Sequence, residues 1–430
     1  MQKFIDILES KMAPIAFKLD SNRYITAIKD GFFGAMSLLI IGSIFLLLAN
    51  LPINGYGDFM ASFLGKNWAS YFTVPFDVTM SIMTIYVVIA MARSLAKTYK
   101  LDSIMCISLS VVAFLLLTPM LELKAGGFAI PMANLSASGL FLGMLTAVLA
   151  VEIIRFVDKK GWKIKMPDSV PENVSRSFSA LIPGLIVIIV FDLIRIAFSF
   201  TNFATVQEFI FHYLQVPLTS LGSTLPAMGI VTLFEAILWF FGIHGSNVVG
   251  GIMQPIWLAL TADNAAAFEA GKALPHIINY QFYSNFMKIG GFGSTFGLAL
   301  IVLFTAKSSQ YKALGKLAIA PGFFGINEPL IFGLPIVLNP IMLIPFLLTP
   351  IVMLFVGYFA MSSGLVPYTN GTNIPWTTPP IIAGFLVSGW KGAVLNVIQI
   401  IISAAIYYPF FKSVDRMALK NEQDDIKQSA

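Results

Sequence analysis

Apolar residues in this chain come in long runs rather than alternation, and the runs differ between its two halves. In the first half, stretches near 30–51, 74–96, 102–121, 136–156 and 178–200 each approach the ~20 residues that carry a helix across a bilayer. In the second half, runs near 224–243, 289–306, 335–360 and 380–411 can also span. The three stretches between them, 244–285, 308–333 and 362–379, are too polar or too interrupted by glycine and proline to read as simple spanning helices. Interrupted apolar segments of this kind point to the binding site of a transporter.

The ends of the chain and its middle carry other patterns. Phe4, Ile5, Ile7, Leu8, Met12, Ile15, Ala16 and Leu19 recur at helical spacing among Lys3, Asp6, Glu9, Lys11, Lys18 and Asp20. That predicts an amphipathic helix over 1–27 lying on the membrane surface, and so many charges exclude a cleavable signal peptide. Thr201–Pro217 mixes aromatics with Gln207, Glu208, His212 and Gln215, as an interfacial connector would. The expected organisation is thus an N-terminal helix 1–27, a membrane domain 28–200, a connector 201–223, a second membrane domain 224–412 and a cytoplasmic tail 413–430. The polar end Asn421–Ala430 is expected to be irregular.

Composition removes the soluble alternatives. The chain is 57% hydrophobic and 11% charged, with mean hydropathy +0.81; soluble domains carry roughly 25% charged residues. The net charge of +5 does not imply nucleic acid, because the basic residues cluster beside the apolar runs. Lys3, Lys11, Lys18, Arg23, Lys29, Arg93, Lys97, Lys100, Arg155, Lys159, Lys160, Lys163, Lys165 and Arg176 fall on one side of the predicted spans, against Lys66 and Lys124 on the other. Positive residues stay inside, so the N-terminus is expected in the cytoplasm. Lys412, Arg416 and Lys420 place the C-terminus on the same side. The single cysteine, Cys106, permits no disulfide within the chain and reads as a packed apolar residue. No metal-site spacing, nucleotide-binding glycine loop or nucleophile triad is present, so no metal, cofactor or ATP-driven step is expected.

The remaining chemistry gathers in the second half. Glu328 stands in Pro321-Gly-Phe-Phe-Gly-Ile-Asn-Glu-Pro329, a carboxylate in a broken apolar segment. Such a charge faces a cavity, a partner or a substrate. His244 stands in Phe241-Gly-Ile-His-Gly-Ser-Asn247; neutral histidine offers one donor and one acceptor, which suits a hydroxyl. Asn247 and Asn327 add paired donors and acceptors beside them. His276 follows Pro275 and fits either a loop position or a sugar contact, and Glu235 fits either a helix–helix hydrogen bond or a functional carboxylate. Trp239, Trp257 and Trp376 offer aromatic faces for a pyranose ring, although tryptophan is also common at membrane interfaces. Asp192 and Arg195, three apart, are expected to pair on one helix.

Taken together, these runs resemble the membrane subunit, enzyme IIC, of the bacterial phosphotransferase system, most closely its lactose/cellobiose (N,N′-diacetylchitobiose) branch. The resemblance covers essentially the whole chain and rests on Gly-Ile-His-Gly-Ser-Asn around His244, Gly-Phe-Phe-Gly-Ile-Asn-Glu-Pro around Glu328 and Asn-Ile-Pro-Trp-Thr around Trp376. It implies an all-α polytopic membrane protein with about 10 transmembrane helices, amphipathic interfacial helices and two re-entrant hairpins in the C-terminal half. It further implies a homodimer through the N-terminal half, and a β-linked disaccharide, cellobiose or diacetylchitobiose, held by the C-terminal half. In this family the sugar 6-hydroxyl receives phosphate from a phosphocysteine of a cytoplasmic IIB protein, itself charged by IIA. The resemblance makes Glu328 and His244 the catalytic pair; by their own chemistry, Trp376, Trp239, Asn247, Asn327 and His276 are expected as sugar contacts. No IIB-like soluble segment is visible, so IIA and IIB are expected as separate proteins. The competing reading is a proton-coupled secondary sugar transporter in which Glu328, Glu235 and His244 relay protons.

Overall fold

The computed structural model describes residues 18, 21–51, 55–164, 166–167, 170–171, 175, 178–334, 336–337 and 339–429, without the side chains of 340 and 425–429. Residues 1–17, 19 and 20 of the helix predicted over 1–27 lie outside these residues, as do Lys165 and Arg176, whereas Arg23 already begins the first spanning helix, Arg23–Ala49. Among the described residues, regular structure is helical apart from one two-stranded antiparallel ribbon, Leu121–Glu122 with Phe128–Ala129. Among the described residues, six helices are long and apolar enough to cross a membrane. Two shorter apolar helices, Ser103–Leu117 and Phe296–Thr305, coincide with predicted runs.

The chain divides into two compact units, one formed mainly by Asp20–Ala49 with Gly57–Ser220 and the other mainly by Leu221–Ala430. The first holds α1 (Arg23–Ala49), α2 (Met83–Tyr99), α3 (Ser103–Leu117), α4 (Leu140–Lys159) and α5 (Leu181–Ser199). α1 lies along α2, α2 packs on α3 and α4, and α5 closes against α3 and α4. Asp102 starts α3 by accepting the Met105 N–H at 2.7 Å, one of the orphan donors that every helix start exposes. Cys106 is fully buried, as a small apolar side chain would be. Asp192 pairs with Arg195 at 2.8 Å.

The second unit holds α6 (Leu225–Phe240), α7 (Gly245–Glu269), α8 (Phe296–Thr305), α9 (Ser309–Phe323), α10 (Glu328–Gly333), α11 (Pro340–Ser362) and α12 (Ile382–Ser429), the last kinked by non-helical backbone at Ser388 and Gly389. Their starts are chemically marked: Thr224 caps α6, Ser308 caps α9 and Asn339 caps α11. Phe296, Leu298, Tyr311, Leu330, Phe346, Tyr407 and Phe411 share one buried core drawn from α8 to α12. Two segments fold back between helices: the short helical piece Tyr280–Met287 followed by a glycine-rich loop, and α9 followed by α10. Residues 363–381 form no helix, as their prolines and polar residues predict.

Two expectations fail here. The stretch 244–285 was expected to be broken, yet Gly245–Glu269 is one 25-residue helix. Its buried Asn264 is satisfied by tertiary partners. Asn264 donates to the carbonyls of His276 and Thr369 at 2.8 Å each and accepts the His276 N–H at 3.0 Å. Likewise Asn421–Ser429 continues α12 instead of forming an irregular tail. Asp415, buried on α12, accepts the backbone N–H groups of Lys307 and Ser308, and Glu422 accepts those of Ser309 and Gln310. These two carboxylates satisfy the orphan donors at the start of α9 and tie the end of α12 to it.

Candidate functional site

The site forms where the α6–α7 corner meets the break between α9 and α10. After Phe240 the chain turns through Gly242 and enters α7 within a few residues. Gly245 lets the two helices meet: a Cβ there would lie 2.4 Å from the Glu235 carbonyl oxygen. His244 caps α7, its Nδ1 accepting the Asn247 N–H at 3.3 Å. With Nδ1 accepting, the neutral ring carries its proton on Nε2. The ring lies against Trp239, centroids 4.3 Å apart.

On the other side, α9 ends at Phe323 and Gly325 adopts φ +79°, a conformation glycine takes without strain. Pro329 then falls in the first turn of α10, where its missing N–H is harmless, and Glu328 opens that helix. Glu328 Oε1 comes to 3.9 Å from His244 Nε2, and both side chains are 44% exposed. The pair is too far apart for a direct hydrogen bond. An oxygen about 2.8 Å from each atom would complete the triangle with an angle of about 90°. A hydroxyl there accepts from Nε2–H and donates to the carboxylate. The second oxygen, Oε2, is buried and meets no hydrogen-bond partner.

Beneath this pair lies a polar cluster that is closed. Glu235 is fully buried. It accepts hydrogen bonds from Ser246 Oγ and Tyr283 Oη at 2.5 Å each, with Lys288 Nζ at 3.5 Å. Lys288 also donates to Ser246 Oγ at 2.9 Å and to Tyr283 Oη at 3.3 Å. Trp239 Nε1 donates to the same serine at 3.3 Å. Of the two readings the sequence left open for Glu235, the structure supplies the helix-to-helix hydrogen bonds. Lys288 escaped the sequence reading; its signal was a lysine between apolar residues and the Gly290-Gly291 turn, in Phe286-Met-Lys-Ile-Gly290.

Trp376 is 46% exposed, and its ring edge and carbonyl lie against Gly325. Trp376, Lys288, Asn285 and Gly325 border one small cleft. Asn247 is exposed beside His244. Asn327 is 3% exposed and donates to the Phe292 carbonyl at 2.6 Å and to Thr295 Oγ1 at 2.9 Å, which ties the two fold-back segments together. His276 sits with other partners, its Nε2 3.3 Å from Asp263 Oδ2 and its carbonyl on Asn264 and Asn279. Trp257 is buried, with its N–H on the Gly222 carbonyl. The structure thus gathers Glu328, His244, Trp239 and Asn247 directly, joins Trp376 through Gly325, and leaves His276 in a separate polar junction.

The sequence signature described as Phosphotransferase system, EIIC matches residues 29–350. The lichenan permease IIC component of Bacillus subtilis (strain 168) is 41% identical over 99% of this chain and 96% of its own. The cellobiose-specific EIIC component of a phosphotransferase system from Geobacillus stearothermophilus is 41% identical over 99% of this chain and 97% of its own. The crystal structure of the transporter ChbC, the IIC component of the N,N′-diacetylchitobiose-specific phosphotransferase system, superposes with a TM-score of 0.93. It is 42% identical and covers 97% of this chain and 99% of its own.

Proposed function

The chain belongs to the phosphotransferase system EIIC family of multi-pass membrane sugar permeases, and we propose that its cargo is a β-linked disaccharide, cellobiose or diacetylchitobiose. The sugar enters the second unit and presents its 6-hydroxyl between His244 and Glu328. The observation that carries this reading is the 3.9 Å gap between those two side chains, one a donor and the other an acceptor. Phosphorylated IIB approaches from the cytoplasm, the side on which both chain termini lie.

Glu328 Oε1 takes the hydroxyl proton as the sugar oxygen attacks phosphorus. The sulfur–phosphorus bond of the IIB phosphocysteine breaks, the thiolate stays on IIB, and the sugar leaves as its 6-phosphate. His244 Nε2–H holds the same oxygen in line with the phosphorus. Trp376 offers a half-exposed ring for stacking, and Trp239 fixes the plane of His244. The new phosphate adds roughly two negative charges beside Glu328, which drives release and prevents return. The homodimer contact is assigned to the N-terminal helices.

Reconstituted vesicles supplied with phosphorylated IIB test the assignment. Wild-type protein should yield sugar phosphate inside the compartment that holds IIB, and Glu328→Gln should slow it at least ~100-fold while still binding sugar. Wild-type rates from Glu328→Gln would remove its role as base. Accumulation of free sugar under a pH gradient without IIB would establish the proton-coupled alternative instead.

A further inference from the structure

The N-terminal unit contains a groove that the transport reading leaves unused. α1 and α2 approach closely at Gly34 and Ala90, where a Cβ added to the glycine would lie 2.6 Å from the alanine Cβ. Larger side chains on either side, Phe33 and Leu38 from α1 with Tyr86 and Ile89 from α2, wall a groove of about 410 Å³ along this seam. Phe33 is 53% exposed and Leu38 36%, so the wall is apolar and open. At one end stand Arg93 and Lys97, one helical turn apart and both exposed.

The charges at that end are unevenly used. Asp30 also borders the groove, and it accepts a hydrogen bond from Ser94 Oγ at 2.5 Å. Among the described residues, no carboxylate lies within ion-pair distance of Arg93 or Lys97. Lys97 occupies the last turn of α2, where a cation also suits the helix dipole, but that role leaves its ammonium free to bind an anion. The helix seven residues from Tyr86 to Arg93 rises about 10 Å, the depth from a headgroup into the upper acyl chain. Cations at the predicted cytoplasmic end and an apolar trough below them match one ligand chemistry.

We propose that this groove is a binding site for an anionic phospholipid, its phosphate on Arg93 and Lys97 and one acyl chain along Phe33, Leu38, Tyr86 and Ile89. Basic pockets between spanning helices at the cytoplasmic face hold lipid phosphates in this way. Neither the sugar nor IIB takes part, so the site stands or fails independently of the transport reading. Asp30 keeps one carboxylate near the phosphate, which limits affinity and favours a singly charged headgroup over a multiply charged one.

Native mass spectrometry of the full chain in detergent, titrated with phosphatidylglycerol or phosphatidylcholine, tests it. Phosphatidylglycerol should bind about ten-fold more tightly than the zwitterionic lipid. Arg93→Gln with Lys97→Gln should bring it down to the phosphatidylcholine level, and the charge-keeping swap Arg93→Lys with Lys97→Arg should retain the preference. Asp30→Asn should raise phosphatidylglycerol binding about two-fold. Equal binding of the two lipids, or an unchanged preference in the Gln pair, would overturn the site. Displacement of the lipid by millimolar glycerol 3-phosphate would show that phosphate alone is recognised and would also overturn it. So would loss of a dimer, rather than of bound lipid, in the Gln pair.

Discussion

Glu235 and Glu328 are both carboxylates inside the second unit, yet they live in opposite circumstances. Glu235 is fully buried and closed in by Ser246, Tyr283 and Lys288. Glu328 is 44% exposed, stands 3.9 Å from its nearest cation candidate, and keeps one oxygen buried without a partner. A buried charge whose partners are all protein groups holds helices together; a charge whose partners are incomplete is available to something else. The difference teaches that a carboxylate at membrane depth is not enough to identify a substrate site. Its unfilled hydrogen bonds are what matter.

The largest effect that could break this contrast is on stability. Glu235→Ala leaves Lys288 without its carboxylate, and loss of one member of a buried pair costs about 3–5 kcal/mol. Thermal unfolding in detergent should show a fall far greater than for Glu328→Ala. Equal losses in the two variants would erase the distinction. Asp415 provides an intermediate case, since it too is saturated by protein donors, here the backbone at the start of α9. Asp415→Asn should cost about 1–3 kcal/mol in the same measurement, because the amide keeps only one of the two accepting oxygens and turns an NH2 donor toward the remaining N–H groups.

Smaller still is the effect at the aromatic wall. Trp376 is half-exposed, so Trp376→Ala should leave the melting temperature near wild type while sugar affinity falls about five- to ten-fold in calorimetric titration. A large stability loss with unchanged affinity would make it a packing residue instead.

Legibility from sequence follows the same division between local and tertiary signals. Glu328 and His244 were visible because Gly325 and Pro329, and Gly242, mark breaks by their own backbone chemistry. The glycine at 325 does adopt a left-handed conformation, and Pro329 does begin a helix. α7 was misread because Ser246, Asn247, Asp263 and Asn264 look polar in isolation; Ser246 and Asn264 in particular are matched by Lys288 and by the carbonyls of His276 and Thr369. The helical end of α12 was hidden for a similar reason, since Asp415 and Glu422 find their partners more than 100 positions away. Lys288 was missed because nothing local to it reveals that Glu235 lies opposite. Periodicity reads faces of helices, whereas pairing across the fold needs the fold.

The central claim is that Glu328 and His244 share the hydroxyl that becomes phosphorylated. Calorimetric titration of the preferred disaccharide and its 6-deoxy analogue, against wild type and Glu328→Gln, tests it without any partner protein. Loss of the hydroxyl should weaken wild-type binding about ten- to hundred-fold, because a hydrogen bond to a charged group disappears. In Glu328→Gln the two sugars should differ far less. An equal penalty for the 6-deoxy sugar in both proteins would contradict the account.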